Sequence, residues 1–169
     1  MGSGPRYRVP MKRRRKNITD YRSRKALITG GLPRIIVRKS NKHVRVQVAD
    51  YLDSGDKIIA SAFSKELAEF GWEGNFDNTP AGYLTGLMAG RRCKKAGIEE
   101  AVLDIGRHVP AKGSVVFAAL KGILDAGVSV PHDEEVLPND DRISGKHLSE
   151  KTQSKFSEIK SKLQEGGDS

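Results

Sequence analysis

The chain has 169 residues, of which 37% are apolar and 30% charged, and its length favours one domain with extensions. No apolar run is long enough to span a membrane, the opening lacks a secretory leader, and the single cysteine, Cys93, fits a reducing cytoplasm because it excludes an internal disulfide. The 30 Lys and Arg against 21 Asp and Glu give a net charge of +9, which favours a polyanionic partner.

The positive charge is concentrated at the beginning of the chain. Residues 1–33 contain ten Lys or Arg and one acidic residue, residues 34–131 are nearly balanced, and residues 132–169 have a small acidic excess. These shifts predict a basic arm, a core domain and a polar extension with a C-terminal helix. Residues 12–16 are five consecutive cations, whose repulsion favours an extended or disordered segment in isolation. Phosphates would neutralise this run, although a localisation signal or a solvated tail has the same composition.

A short helix is predicted after the basic run. Thr19 or Asp20 can cap a helix that continues through Leu27 and ends at the glycine pair 30–31. Tyr21 places an aromatic ring among cations, a position that suits stacking on a base as well as packing at the edge of a core.

Three strands are predicted next. Residues 34–38 form a short apolar run, residues 43–48 alternate with their valines inward, and residues 57–63 form a third strand. Because short turns connect them, we expect an antiparallel meander. Ser64 can then cap a short helix that ends at Phe70, before a glycine.

Two helices and two strands complete the predicted core. A Thr-Pro start predicts a helix over residues 79–95, followed by a strand over 101–105, a helix over 115–126 and a strand over 127–130. The order β-β-β-α-β-α-β predicts an α/β fold with a mixed five-stranded sheet and helices on its faces. The later units are expected to cross over in parallel.

Two further patterns lie on predicted helices. Gly82, Gly86, Gly90 and Cys93 form a stripe of small residues, which predicts close packing, with the sheet as the expected neighbour. The cations that follow complement the helix dipole, a role that leaves a phosphate contact open. Near the end of the chain, three apolar residues at helical spacing predict a narrow-faced helix that docks as an appendage, either on this core or on a partner.

The sequence predicts no catalytic site, metal site or cofactor. A mixed sheet of this order is also the scaffold of ribonuclease-H-like nucleases, which need several carboxylates on neighbouring strands to hold two metal ions. The first strand offers Arg34 and Arg38 where an acid would be required. Asp50 and Asp104 lie at strand ends without acidic partners, and the four histidines lack the spacing of zinc ligands.

Three segments carry a resemblance to a known family. They are residues 13–38 with Leu32-Pro33-Arg34-Ile35-Ile36-Val37-Arg38, residues 82–92 with Gly82-Tyr83-Leu84-Thr85-Gly86, and residues 103–132 beginning Leu103-Asp104-Ile105-Gly106. In this order and spacing they resemble the uL-eighteen family of large-subunit ribosomal proteins that bind 5S rRNA, in its archaeal and eukaryotic form. The match spans residues 12–148, and residues 139–145 fit the archaeal extension past the core.

The resemblance implies a core related to the ribonuclease-H-like fold, without nuclease activity, in a structural protein of the cytoplasmic ribosome. Such a protein would attach 5S rRNA to the 23S-type large-subunit rRNA in the central protuberance, beside neighbouring ribosomal proteins, and would need no small-molecule substrate or membrane. A metal-dependent nuclease and a generic basic nucleic-acid-binding module remain the alternatives.

The predicted RNA-binding residues combine the arm, the borders of the first two strands and the cations near the end of the long helix. They are Lys12, Arg13, Arg14, Arg15, Lys16, Tyr21, Arg22, Arg24, Lys25, Arg34, Arg38, Lys39, Lys42, His43, Arg45, Arg91 and Arg92.

Overall fold

A four-stranded mixed sheet forms the centre of the computed structural model, which describes residues 4–165. The strands lie in the order β3-β2-β1-β4, and they are β1 (Arg34–Lys39), β2 (Val44–Leu52), β3 (Gly55–Phe63) and β4 (Val102–Asp104). The first three are antiparallel neighbours joined by tight turns, which confirms the predicted meander. β4 pairs with β1 in parallel, so the crossover after the meander is confirmed as well.

The structure has four strands where the sequence predicts five. Residues 127–130 contribute one isolated parallel bridge, between Ser129 and Glu100, although Val128 and Val130 are buried. Gly127 takes a left-handed conformation (φ 90°) at the end of a helix, and the proline at position 131 has no N–H to donate. Only three residues lie between them, and of these Ser129 forms the bridge. A ribonuclease-H-like relationship stays a prediction.

Six α-helices lie among the described residues. They are α1 (Lys12–Arg15), α2 (Tyr21–Thr29), α3 (Thr79–Lys95), α4 (Val115–Asp125), α5 (Asp140–Ile143) and α6 (Glu150–Glu165). α3 has the predicted bounds, and the Asn78 side chain caps it by accepting a hydrogen bond from the Ala81 N–H at 2.9 Å. The helix predicted after the third strand is a 3₁₀ turn, Ser64–Ala68. None of the helices between residues 4 and 165 combines the length and hydropathy of a membrane span.

α3 and α4 cover one face of the sheet and pack tightly on each other. The small-residue stripe of α3 faces α4, so the expectation that it faces the sheet is wrong. A Cβ atom added at Gly86 would overlap the Ala119 backbone, and one added at Gly90 would lie 2.6 Å from the Ala126 Cβ. The two helices approach closely because glycine supplies no side chain at these positions.

The C-terminal helix docks on this core, which decides between the surfaces that its apolar stripe leaves open. Phe156, Ile159 and Leu163 of α6 are all buried, and the Phe156 ring lies 5.6 Å from that of Tyr83 on α3. The Tyr83 hydroxyl in turn donates a 2.7 Å hydrogen bond to Asp125. α6 is therefore an outer layer of the helical side of the molecule.

The other face of the sheet points away from α3 and α4, and none of the α2 residues that lie near it is buried. Along β1 and β2, apolar residues that point to α3 and α4 alternate with residues that point away. We call this second side the open face, and from β1 and β2 it carries Arg34, Ile36, Arg38, Arg45 and Gln47.

A bulge in β3 changes which residues reach the open face. Val48 of β2 pairs with Ala60, but the next residue, Ala49, pairs with Ile58, so Ile59 is an extra residue in β3. One extra residue reverses the side to which the rest of a strand points. The Asp56 side chain consequently lies on the open face of the sheet rather than on the face that packs against α3 and α4.

Candidate nucleic-acid interface

The basic run of the arm is fully exposed. α1 is a single helical turn of four cations with no buried residue. Arg13 Nε donates a 2.9 Å hydrogen bond to the Thr19 hydroxyl, and the Arg14 guanidinium lies 5.6 Å from the centre of the Tyr21 ring. These contacts orient two of the five cations, and Tyr21 already carries a cation on one face.

α2 continues the basic surface and begins at Asp20, one of the two predicted caps. The Asp20 carboxylate accepts hydrogen bonds from the N–H groups of Arg22 at 2.9 Å and Ser23 at 3.3 Å. The hydrogen bonds from Ser23 and Arg22, together with the positive charge of Arg107, hold the pKa of Asp20 below its usual value. The carboxylate therefore stays ionised and fixes the helix start, while Arg22 and Lys25 remain exposed.

α2 lies over the open face and encloses a groove of about 850 Å³ with it. The groove is bounded by residues from the arm, all four strands and the loop after β4, and these include Arg13, Arg24, Arg34, Arg38, Gln47, Asp56, Asp104 and His108. Arginines from the arm and from β1 thus meet in one concave surface.

Alternating charges run along the floor of this groove. Arg24 pairs with Asp56 at 2.9 Å, and Asp56 pairs with Arg34 at 2.7 Å. Arg34 then pairs with Asp104 at 3.1 Å, and Asp104 pairs with Arg38 at 2.9 Å. We call these five residues the ionic chain. It connects α2, β3, β1 and β4.

Arg34 is an internal member of the ionic chain. Its side chain is 2% exposed and is held between Asp56 and Asp104. Arg34 is predicted from the sequence as an RNA contact. In the structure it is buried, and its two ion pairs connect β1 to β3 and β4. Its partners Asp56 and Asp104 are distant in sequence, so the residues around Arg34 do not predict these ion pairs.

Asp104 has its carboxylate occupied by protein donors. Arg34 donates to one oxygen, while Arg38 and the Gly106 N–H donate to the other at 2.9 and 2.8 Å. Gly106 has φ 63°, and a Cβ there would lie 2.7 Å from the Arg38 guanidinium carbon. A glycine is therefore required for Arg38 to lie flat against this loop.

The far end of the open face is partly aromatic. The Arg45 guanidinium lies 5.1 Å from the centre of the Phe63 ring, and the His43 ring lies 4.9 Å from Phe63 on the same side. The Lys39 N–H donates to His108 Nε2 at 3.2 Å. Burial and then the charges of Arg38 and Lys39 hold the pKa of His108 below its usual value. His108 is therefore a neutral acceptor at neutral pH.

The amino-acid sequence matches a known protein family and several of its members. The sequence profile described as ribosomal large subunit proteins 60S L5 and 50S L18 matches residues 5–101, which include the arm, the meander and α3. The chain belongs to this family. It is 52% identical to the large ribosomal subunit protein uL18 of Haloarcula marismortui over 150 residues, 89% of this chain and 80% of the relative. It is 53% identical to uL18 of Aeropyrum pernix over 151 residues, 89% and 71% of the two chains, and 51% identical to that of Korarchaeum cryptofilum over 148 residues, 88% and 76%.

As a uL18 family member, the chain is a protein of the large ribosomal subunit.

Two predicted site residues of this uL18 chain, Arg91 and Arg92, lie on α3, away from the arm. Arg91 donates to the Gln164 carbonyl of α6 at 2.9 Å. Arg92 pairs with Glu66 at 2.7 Å and donates to the Ser61 carbonyl at 2.5 Å. Both cations thus connect α3 to its neighbours, and the structure does not bring them together with the groove.

Three other cations of this uL18 chain accompany the predicted set. Arg6 and Arg8 are exposed in the arm ahead of α1, and Arg107 is exposed in the loop after β4, close enough to Asp20 to lower its pKa. Because β4 is parallel to β1, its following loop lies at the edge of the sheet where β1 ends. The predicted parallel pairing of these two strands is therefore the signal that could have placed Arg107 beside the other cations.

In this uL18 chain the open face offers donors for an anionic surface. Within residues 4–165, no cluster of three or more His, Cys, Asp or Glu side chains could hold a metal ion. Arginine's planar fork of donors matches phosphate oxygens, and the ring of Tyr21 can stack on a base. The arrangement thus suits binding of a folded, phosphate-rich surface.

Proposed function

We propose that this protein binds 5S rRNA and helps attach it to the large-subunit rRNA in the central protuberance of the cytoplasmic ribosome, beside neighbouring ribosomal proteins and without catalysis. The observation that carries the proposal is the position of α2 over the open face. Arg13 and Arg24 from the arm and Arg34 and Arg38 from β1 line one groove there.

The form of this surface favours RNA over duplex DNA. A-form RNA hides its base edges in a deep, narrow groove, so proteins recognise it largely through phosphates, 2′-hydroxyl groups and shape. The arginines that line the groove come from the arm, α2 and β1 rather than from a single recognition helix of the kind that enters the DNA major groove. The carboxylate of Asp104, which a nuclease would need for a metal ion, is occupied by Arg34, Arg38 and a backbone N–H.

The experiment measures the affinity of the full chain for an archaeal 5S rRNA transcript over a range of salt concentrations. The test variant replaces Lys12, Arg15 and Lys16 by alanine. The control variant replaces Lys65, Lys94 and Lys151, three exposed lysines outside the arm and the open face. Since each phosphate contact contributes about 0.7–0.9 to the slope of log affinity against log salt, the arm variant should lose about 2 from that slope.

The control variant should keep the wild-type slope, and duplex DNA of equal length should compete poorly. Equal slopes for the two variants would contradict the assignment of the interface to the arm. Equal competition by duplex DNA would favour a generic basic nucleic-acid-binding module instead.

A further inference from the structure

Asp56 is an acidic residue within a basic surface, and its contacts explain why it is there. We propose that Asp56 is a positioning residue for RNA binding, since its pair with Arg24 holds α2 on the open face in the orientation that the interface requires. The inference rests on the proposed function and adds to it a residue whose charge has the wrong sign to touch RNA.

α2 has little other attachment to the sheet. None of its nine residues is buried, and Leu27 and Ile28 are only half-buried. Apolar burial therefore gives weak preference for one position of the helix. The Arg24–Asp56 pair, at 2.9 Å, connects the middle of α2 to the start of β3. With side-chain exposures of 34% and 20%, it is partly shielded from solvent.

The sheet holds Asp56 rigidly from below. The β3 bulge directs Asp56 to the open face, where Arg34 approaches one of its oxygens at 2.7 Å. Arg34 is itself fixed by Asp104, which Arg38 and the Gly106 N–H hold in turn. A charge that is already ordered loses little conformational entropy when it binds another partner. Arg24 thus meets a carboxylate that is in place beforehand.

Positioning and simple electrostatics predict opposite signs for the loss of this carboxylate. If Asp56 acted only through its charge, its removal would strengthen binding to a polyanion. If it acts through α2, its removal lets the helix leave the open face, and binding must first restore the docked state. Should the docked fraction fall to about a tenth, the measured dissociation constant would rise about tenfold.

Asp53 provides the matched control for Asp56→Asn. It lies in the β2–β3 turn three residues before Asp56, is exposed, and makes no described side-chain contact, so Asp53→Asn changes the net charge equally. We expect Asp56→Asn to weaken binding of the 5S rRNA transcript about tenfold and to speed hydrogen exchange of the α2 amides in the free protein. Asp53→Asn should bind as tightly as the wild type or slightly more tightly. The inference is overturned if Asp56→Asn binds as tightly as Asp53→Asn, or if α2 exchange is unchanged.

A second pair of variants applies if Asp56→Asn disturbs the core by leaving Arg34 without one partner. Arg24→Gln breaks the same contact from the side of α2 and keeps the Arg34–Asp104 pair. Its control is Arg22→Gln, an exposed cation on the same helix. Exchange in the free protein should rise for Arg24→Gln alone, and equal exchange in the two variants would refute docking through this pair. Failure of the wild type to bind 5S rRNA would overturn the proposed function separately, because the exchange measurement needs no RNA.

Discussion

Replacing Gly86 by alanine should force α3 and α4 apart. The new Cβ would overlap the Ala119 carbonyl oxygen and lie 2.7 and 2.8 Å from the Ala119 carbonyl carbon and Cα. Ordinary van der Waals contact begins near 3.4 Å, so the helix backbones must separate by about 1 Å, and overpacking of this kind typically costs about 1–3 kcal/mol. Backbone atoms cannot rotate away as side chains do, so we expect a cost near the upper end of this range, about 3 kcal/mol. Alanine's better helix propensity returns about 1 kcal/mol.

The expected net loss in free energy of unfolding is about 2 kcal/mol, or roughly 4–8 °C in Tm for a chain of this size. Urea unfolding followed by fluorescence of the buried Trp72 measures it. Gly30→Ala is the matched control, since a Cβ at Gly30 would meet only the Leu27 carbonyl oxygen, at 3.4 Å. A Gly86→Ala protein within about 0.5 kcal/mol of this control would refute the close helix contact.

Three further predictions concern separate parts of the fold. Phe156→Ala should lower the free energy of unfolding by about 3–5 kcal/mol because Phe156 anchors α6, whereas Ser157→Ala on its exposed side should change it by less than about 0.5 kcal/mol. Because burial raises the pKa of Cys93 to about 11, a disulfide reagent at pH 8 should label it only after urea unfolds the chain, and rapid native labelling would contradict this. The lowered pKa of His108 means that its neutral form stabilises the fold above the unfolded pKa of about 6.5, and that this contribution is lost as the pH falls through the folded pKa. His108→Gln should therefore lose less stability than the wild type between pH 7 and 5 in urea titrations, and an NMR titration should place the wild-type pKa below its usual value.

Local signals in the sequence were sufficient for most elements. The start of α3 follows from Pro80 in its first turn, and its end from Gly97, which has φ 76°. Strict alternation predicts that the valines of β2 face inward, and the spacing of Phe156, Ile159 and Leu163 predicts a helix with one apolar face. These features depend on residues a few positions apart, and such patterns are visible in a single chain.

Features that depend on distant residues were not visible. The small-residue stripe marks a close approach, but its neighbour is set by tertiary packing, and Ala119 of α4 occupies the place expected for the sheet. Alternation from Ala60 would put Asp56 on the core face, and only the bulge reverses it. The burial of Arg34 is hidden for the same reason, since its partners come from β3 and β4. The arm, by contrast, was predictable as a basic segment because its cations are consecutive.

α2 and α6 lie on opposite sides of the sheet, and this separates the basic arm from the C-terminal helix in space. α2 of the basic arm lies over the open face, whereas α5 and α6 contact α3 on the helical side and belong to residues 132–169, which have a small acidic excess. The molecule therefore has an electric dipole moment that points through the sheet toward the arm. In the field of a polyanion this dipole exerts a torque that turns the arm forward before any atoms touch, over a range of about 10 Å at 0.1 M salt. Orientation is thereby selected during diffusion, which raises the association rate at low ionic strength.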